Sequence, residues 1–331
     1  MKESCVSTVY YYRKQDSDTM INFDNFNSLV EIALYFDTPT KCKAAIVQSR
    51  WPDGDIVCPY CGHHHSHKRR DGRFVCSACN HNFSCLVGTI FENTKISLVK
   101  WFMAMYLISS HKKGISSHQL ARDIHVTQKT AWFILHKVRT LFQQYDTPAL
   151  RGEIELDEMY LGGREINKHE SKKVEGTQGR STKTKTPIFG MVQRNGHVRA
   201  LKVEDTKAET LMPIIKQFCD ENAHFFTDEL SSYSYLDREG MKHDVIQHGI
   251  RQYVKGGITT NSIEGFWAHF KRMVFGTYHF VSKRYLQQYI NEAVYRYNTR
   301  KSSESARFGF MFKKAIGVVS YEDVKSYAMA A

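Results

Sequence analysis

The chain has 331 residues, of which 42% are hydrophobic and 13% aromatic. This composition excludes an intrinsically disordered protein and provides enough apolar side chains for two or three domains. The net charge of +12 favours a polyanionic partner, although charge alone does not separate nucleic-acid binding from simple solubility. The most apolar stretch, residues 98–108, is shorter than the ~20 residues of a membrane-spanning helix, so we expect no membrane partner.

The chain begins with a polar leader, residues 1–24, that lacks the features of a secretory signal. Residues 25–57 are predicted to be helical. Thr38-Pro39 is typical of a helix start, since proline is favoured at the first helical position, and the sequence from Trp51 to Gly54 predicts a stop and a turn.

Residues 58–85 contain two Cys-x-x-Cys pairs separated by 14 residues: Cys58, Cys61, Cys76 and Cys79. Two such pairs in a chain of this size predict a zinc ribbon with a closed, structural Zn²⁺ site, because four thiolates leave no open coordination position. Cys85 and the histidines between the pairs are alternative ligands. Four basic residues between the pairs are either DNA contacts or ordinary solvated side chains: Lys68, Arg69, Arg70 and Arg73.

Residues 86–149 are predicted to be helical and to contain a helix-turn-helix-like DNA-binding region. Apolar residues in the stretch 116–124 share one helical face. Thr127 can cap a second helix, which buries Ala131, Ile134, Leu135 and Val138. Gln128 and Lys129 would then lie at the start of a recognition helix, where base edges are read. Helix pairs are common, so this pattern is weak without the neighbouring ribbon and the basic charge.

Residues 150–300 alternate between strand and helix patterns and predict a mixed α/β domain. Glu153–Leu161 has strand periodicity, with Glu153, Glu155 and Asp157 on the face opposite Ile154 and Leu156. Asn195-Gly196 between two apolar runs predicts a hairpin. Residues 210–221 and the apolar stripe from Ile263 to Val274 predict helices, and residues 224–228 and 243–247 predict strands. The basic loop 164–186 is either a DNA contact or a solvated insert. No element is predicted in the C-terminal tail, 301–331.

Three acids in this domain are candidate catalytic residues: Asp157, Asp228 and Glu264. Carboxylates that fold brings together need cations or protons, and Mg²⁺ is a natural counter-charge that supports two-metal phosphoryl transfer. Other interpretations are a solvated strand face for Asp157, a cap for Asp228, and a capping box for Asn261-x-x-Glu264. Lys271, two helical turns after Glu264, would contact a DNA phosphate or simply be solvated.

Several stretches in this order resemble the insertion-sequence transposases of the ISXO-like group, which are related to Merlin elements. The stretches are RWPDG, CPYC, CSAC, GTIFENTKISLVKWF, GEIELDEMYLGG, FFTDELSSY, TNSIEGFWAHFKR and GTYHFVSKRYLQQYINEAVYRYN. The resemblance implies a zinc ribbon, a helix-turn-helix-like region and an RNase H-like DDE catalytic domain, in an α/β multidomain protein. It implies that Asp157, Asp228 and Glu264 hold two Mg²⁺ (or Mn²⁺) ions, although Asn is described as the third residue in some members, and Asn261 is nearby.

The resemblance further implies a bacterial, cytoplasmic and nucleoid-associated enzyme that cleaves DNA at terminal inverted repeats. The freed 3′-hydroxyl would then be joined to target DNA, by a homodimer or a higher assembly. Two other functions stay open: an RNase H-like metal-dependent nuclease or resolvase that cuts without joining, and a transposase-derived DNA-binding regulator without catalysis. The sequence does not identify the repeat sequence or the target preference.

Overall fold

The structure, a computed structural model, describes residues 21–143, 147–162, 169–174, 183–246 and 260–317. Residues 1–20 of the polar leader, most of the basic loop and residues 318–331 lie outside the described parts. Every helix among the described residues is too short or too polar to cross a membrane. Contacts divide the chain into two units, one extending to Leu141 and resuming at Ser302, the other running from Phe142 to Lys301.

The elements of the first unit are α1 (Leu29–Tyr35), α2 (Pro39–Arg50), β1 (Ser66–Lys68), β2 (Phe74–Cys76), β3 (Asn82–Phe83), α3 (Leu98–Ser110), α4 (Ser117–Asp123) and α5 (Gln128–Arg139). The second unit contains β4 (Glu153–Leu161), β5 (Thr186–Gln193), β6 (Val198–Lys202), α6 (Ala208–Phe218), β7 (His224–Thr227), α7 (Ser234–Arg238), β8 (Lys242–Val245), α8 (Asn261–Arg272) and α9 (Leu286–Asn298). The last helix, α10 (Glu304–Ala315), belongs to the first unit.

The first unit confirms the predicted helix starts. Thr38 caps α2 with its side chain, Pro39 is the first helical residue, and the helix ends at Arg50, before Trp51. Thr127 caps α5 by accepting the N–H of Thr130, and the predicted apolar residues of α5 are buried. Helix α10, for which the sequence analysis predicted no element, packs on α3 and buries Phe308 and Phe312.

The second unit is built on a five-stranded mixed sheet in the order β6-β5-β4-β7-β8. Strands β4, β5 and β6 are antiparallel, whereas β7 and β8 run parallel to β4. The Asn195-Gly196 hairpin is confirmed, with Asn195 at φ +57° and Gly196 donating its N–H to Gln193. This strand order, with helices on both faces, is the RNase H-like arrangement that the resemblance implies.

Successive side chains of β4 point to opposite faces of the sheet and pack into two different hydrophobic clusters. Ile154 and Leu156 pack with α6, in a cluster that includes Leu211 and Ile215. Met159, on the opposite face, packs with α8 and α9 in a second cluster. Glu155 and Asp157 share that second face with Met159. The acidic side of this strand was expected to be its polar side, but the structure shows that helix α8 covers it and that Glu155 is completely buried.

Candidate active site

The sheet register places Asp157 and Asp228 side by side. In the parallel pairing of β4 with β7, Glu155 is opposite Phe226, and two residues further along the two strands are Asp157 and Asp228. Because the two strands are parallel, residues two positions further along each strand are again neighbours, so both carboxylates lie at the same edge of the sheet. The N–H of Leu230 donates to Asp228 Oδ1 at 3.0 Å, which orients this carboxylate after the strand ends.

Glu264 reaches the same place from the first turn of α8. One pocket is lined by Asp157, Asp228, Thr260 and Glu264. The hydroxyl of Thr260 donates to Glu264 Oε1 at 3.2 Å. The structure therefore brings together the three acids that the sequence analysis selected, from two strands and a helix that are far apart in the chain.

A hydrogen bond from a β4 side chain positions helix α8. Glu155 Oε2 accepts the backbone N–H of Ile263 at 2.9 Å, and Arg194 Nε donates to Glu155 Oε1 at 2.9 Å. Arg194 also pairs with Glu153. The capping box expected at Asn261 is wrong, because the helix begins at Asn261 and its N-cap is Thr260. The N–H of Ile263, which an Asn261 cap would have satisfied, is bonded to Glu155 instead.

Trp267 packs against Gly190 and thereby reaches Asp157. Its indole Nε1 donates to Asp157 Oδ2 at 3.0 Å. Gly190 is paired with Asp157 across the sheet, and a Cβ at Gly190 would lie 2.5 Å from Trp267 Cζ2. Glycine at this strand position is therefore required for the indole to reach the carboxylate.

Asp157 has a strongly perturbed pKa. Burial and the negative charges of Asp228 and Glu264 raise the pKa of the Asp157 carboxyl to about 6. The hydrogen bond from Trp267 lowers this pKa, but its effect is outweighed. Carboxylates that repel one another in this way need a cation or a proton. Hard oxygen ligands at an open pocket fit a divalent ion such as Mg²⁺ or Mn²⁺.

Sequence reasoning selected neither Glu155 nor Glu158 at this site. One carboxylate oxygen from each of Asp157, Glu158 and Asp228 lies within 4.8 Å of the others, and the hydroxyl of Tyr233 donates to Glu158. Sequence reasoning also missed the contact of Trp267 with Asp157, for which Gly190 was the available signal, because a glycine inside a strand often marks the close approach of another group.

Comparison with known families identifies this region. The family model described as ISXO2-like transposase domain matches residues 149–298. The chain therefore carries an ISXO2-like transposase domain. A second model, described as transposase zinc-ribbon domain, matches residues 38–82.

Individual relatives agree with the family matches. An uncharacterized protein in transposable element ISH50 of Halobacterium salinarum is 27% identical over 233 residues, which cover 66% of this chain and 77% of the relative. An uncharacterized transposase-like protein of Haemophilus influenzae is 28% identical over 101 residues, covering 30% of this chain and 80% of that protein. The crystal structure of the Mos1 strand transfer complex has a TM-score of 0.28 at 12% identity, over 65% of this chain and 73% of that one.

The zinc-ribbon segment gathers its four cysteine sulfurs within 4.8 Å of one another. Cys58 and Cys79 sulfurs are 3.7 Å apart, and those of Cys61 and Cys76 are 3.6 Å apart. A tetrahedral zinc with Zn–S bonds of about 2.3 Å would separate its sulfurs by about 3.8 Å, so the arrangement fits that ion.

The two cysteine knuckles have matching backbones. The N–H of Cys58 donates to His63, and that of Cys76 donates to His81, five residues later in each case. Gly62 and Asn80, four residues after these cysteines, both have positive φ. Cys85 and the nearby histidines, the alternative ligands, are not part of the four-sulfur cluster.

The sequence-predicted DNA contacts lie on exposed surfaces of their own elements. Arg69, Arg70 and Arg73 lie at the turn between β1 and β2, and Arg69 Nη1 also donates to Asn82. In the helix pair, Lys129 is exposed in the first turn of α5, and Gln128 Nε2 donates to Ser117 of α4. Lys271 is exposed near the end of α8, two turns after Glu264.

Proposed function

We propose that this protein is a DNA transposase that cleaves element ends and joins the freed 3′-hydroxyl to target DNA by two-metal phosphoryl transfer. The observation that carries the proposal is the single pocket lined by Asp157, Asp228 and Glu264. The transposase-family domain, which contains all three residues, supports the assignment.

The three carboxylates would hold two Mg²⁺ or Mn²⁺ ions. When bound, such ions activate a water or a 3′-hydroxyl and stabilise the leaving oxygen. The chain's own residues hold the ligands in place: Trp267 orients Asp157, Leu230 orients Asp228, and Thr260 contacts Glu264. Lys271 would contact a phosphate beside the pocket, because an exposed lysine on this helix is a mobile cation near the acids.

We assign DNA recognition to the zinc ribbon (58–85) and the helix-turn-helix-like region (86–149), and chemistry to residues 150–300. A structural Zn²⁺ on Cys58, Cys61, Cys76 and Cys79 would hold the ribbon that presents the three arginines to phosphates. Lys129 would contact DNA at the start of α5, and Gln128 would read a base edge while Ser117 supports its amide. Joining two element ends requires at least a dimer, because each end needs its own catalytic pocket.

The test uses the full chain and a plasmid that carries the genomic DNA flanking its coding sequence. We expect nicking with Mg²⁺ and none with EDTA. Asp157→Asn, Asp228→Asn and Glu264→Gln should each abolish nicking while DNA binding is retained. Glu229→Gln is the matched control, since Glu229 is an exposed acid beside Asp228 that does not line the pocket. Nicking that persists in Asp157→Asn contradicts the catalytic assignment.

A pre-cleaved end with a free 3′-hydroxyl separates the three functions. A transposase joins it to target DNA, a nuclease or resolvase only nicks, and a regulator does neither. Asn261→Ala, compared with Glu264→Gln, identifies the third ligand. Asn261 does not line the pocket, so we expect its alanine variant to keep nicking.

A further inference from the structure

The last two residues of α8 and the residues that follow it, Lys271 to Arg284, have an unusual backbone, and we call them the post-helix segment. Met273–Tyr278 forms a π-helix, which is rare and is often found at functional sites. His279 then adopts φ +60°, a left-handed conformation that is uncommon for a residue other than glycine. Such backbone conformations persist only where the surrounding structure fixes them.

The core anchors the middle of the post-helix segment. The Tyr278 hydroxyl donates to Glu292 Oε1 at 2.7 Å, and its ring packs edge-on against Tyr289 at 4.8 Å. Val281 packs against the same apolar cluster. The two phenylalanines on either side of Tyr278 point outward instead, with Phe275 56% and Phe280 79% exposed. Phe280 is the most exposed large apolar side chain in the described parts of the chain.

The post-helix segment is also strongly basic. No Asp or Glu occurs between Glu264 and Glu292, and four exposed cations flank the phenylalanines: Lys271, Arg272, Lys283 and Arg284. Within the described residues, none of the four takes part in a salt bridge. Burial and the nearby charge of Lys283 lower the pKa of Lys202, so another cation lies close by.

We propose that the post-helix segment binds unpaired bases of DNA, with Phe280 and Phe275 stacking on bases and the flanking cations contacting phosphates. Rigidly held, exposed aromatic rings among uncompensated cations are the combination that binds single strands, because every base has a stacking face. Duplex DNA hides those faces, so the phenylalanines select a strand that is already open. The cations match a polyanion, whereas the same basic segment of a second copy would be repelled.

This inference rests on the proposed function, because helix α8 carries Glu264 in its first turn and leads directly into the post-helix segment. An open strand bound there would belong to the DNA whose phosphodiester reaches the pocket. The stacking surface would therefore favour DNA ends that are frayed or already partly cut over intact duplex.

The test measures binding of the full, zinc-loaded chain to two labelled DNAs in buffer that contains neither Mg²⁺ nor Mn²⁺ nor a chelator: a blunt duplex and the same duplex with a short single-stranded tail. We expect tighter binding of the tailed DNA. Phe280→Ala should weaken tailed binding by about 5- to 100-fold, the range for loss of one stacked base, and leave blunt binding unchanged. A 2-aminopurine in the tail should be quenched by the wild type and not by Phe280→Ala.

Phe280→Tyr should keep the tail preference, whereas Phe280→Leu, which is apolar but has no ring, should lose it. Phe310→Ala is the matched control, since Phe310 is an exposed phenylalanine on α10 of the other unit.

Equal binding of both DNAs by the wild type, or an unchanged preference in both Phe280→Ala and Phe275→Ala, overturns the inference. Loss of self-association in Phe280→Ala, measured by sedimentation with DNA binding intact, would assign the surface to a second copy. All of these measurements are made without Mg²⁺ or Mn²⁺, so they are independent of whether the protein nicks DNA.

Discussion

The carboxylate of Glu155 accepts the backbone N–H of Ile263 at 2.9 Å. Glu155 lies on β4 two residues before Asp157, and Ile263 directly precedes Glu264 on α8. One hydrogen bond between a strand and a helix therefore sets the spacing of two candidate metal ligands. Arg194 supplies the counter-charge, and because Glu155 is completely buried, water cannot replace that partner.

Replacing Glu155 with Gln should destabilise the protein and misplace α8. Arg194 would lose its buried counter-charge, so we expect the free energy of unfolding to fall by about 3 kcal/mol. Nicking should also require more Mg²⁺, because Glu264 would no longer be held beside Asp157. Urea denaturation and a magnesium titration of nicking measure the two effects.

Glu153→Gln is the matched control for Glu155→Gln, because Glu153 pairs with the same arginine but its side chain is 54% exposed. An exposed pair contributes below about 1 kcal/mol, so this variant should resemble the wild type in both measurements. Equal losses of stability and of magnesium affinity in the two variants would show that burial of the Glu155–Arg194 pair does not cause the effect.

Gly190→Ala should disrupt the pocket without adding or removing a charge. The new Cβ would lie 2.5 Å from the Trp267 ring, so the indole must move away from Asp157. We expect a loss of about 1–3 kcal/mol in stability from overpacking, together with loss of nicking. Thermal denaturation and the plasmid assay measure these effects.

Gly265→Ala provides the control for Gly190→Ala. A Cβ at Gly265 meets nothing within 4 Å, and the residue is exposed on α8. Alanine in a helix interior is favoured over glycine by about 0.5–1 kcal/mol, so this variant should unfold at a slightly higher temperature. If Gly190→Ala were as stable as Gly265→Ala, Trp267 would not be packed as the structure shows.

Local signals in the sequence predicted much of the second unit. Asn195-Gly196 marks its hairpin, in which Asn195 adopts a positive φ, and strand periodicity identified β4. The sequence could not reveal which side of β4 is covered, because the covering helix begins at Asn261, more than a hundred residues later. For the same reason Glu155 was interpreted as one of several polar strand residues rather than as the buried partner of Ile263.

The three acids were candidates from the residues themselves and were supported by the resemblance, but periodicity alone could not have shown that they meet. Their meeting depends on the pairing of β4 with β7, which aligns Asp157 with Asp228, and on the N-terminus of α8. The N-cap was misplaced by one residue because Asn261 is the better capping residue locally, whereas a contact from the sheet satisfies that helix end instead.

Removal of zinc should unfold the ribbon. The four sulfurs surround a point that a metal would occupy, and small zinc modules depend on the ion for folding. We expect one zinc per chain in the wild type, and its loss in Cys61→Ser together with weaker DNA binding. A colorimetric zinc assay and circular dichroism, with and without chelator, measure both.

Cys85→Ala should keep the zinc, because Cys85 is buried outside the four-sulfur cluster. Loss of zinc from this variant would make Cys85 a ligand, in place of one of the four. Zinc that survives in Cys61→Ser would rule out the four-cysteine site.

The raised pKa of Asp157 makes the stability of the metal-free protein depend on pH. The pKa of its carboxyl is about 6 in the folded protein against an ordinary value of 3.8, so the folded state holds this proton more tightly than the unfolded chain. Its contribution to stability is therefore fully present below about pH 4 and is lost as the pH rises through 6. Asp157→Asn removes the titration, so the variant should be more stable than the wild type at pH 7, by at most about 3 kcal/mol.

The stability gap between Asp157→Asn and the wild type should be close to zero near pH 4 and should open as the pH rises. Guanidinium denaturation at several pH values in EDTA measures it. Mg²⁺ should close the gap at neutral pH, because an ion bound to the folded wild type offsets the repulsion among the carboxylates and stabilises that state by mass action. A stability difference that stays constant with pH would mean that ionisation of Asp157 does not destabilise the folded protein. The pocket would then not need a cation to offset repulsion among its carboxylates.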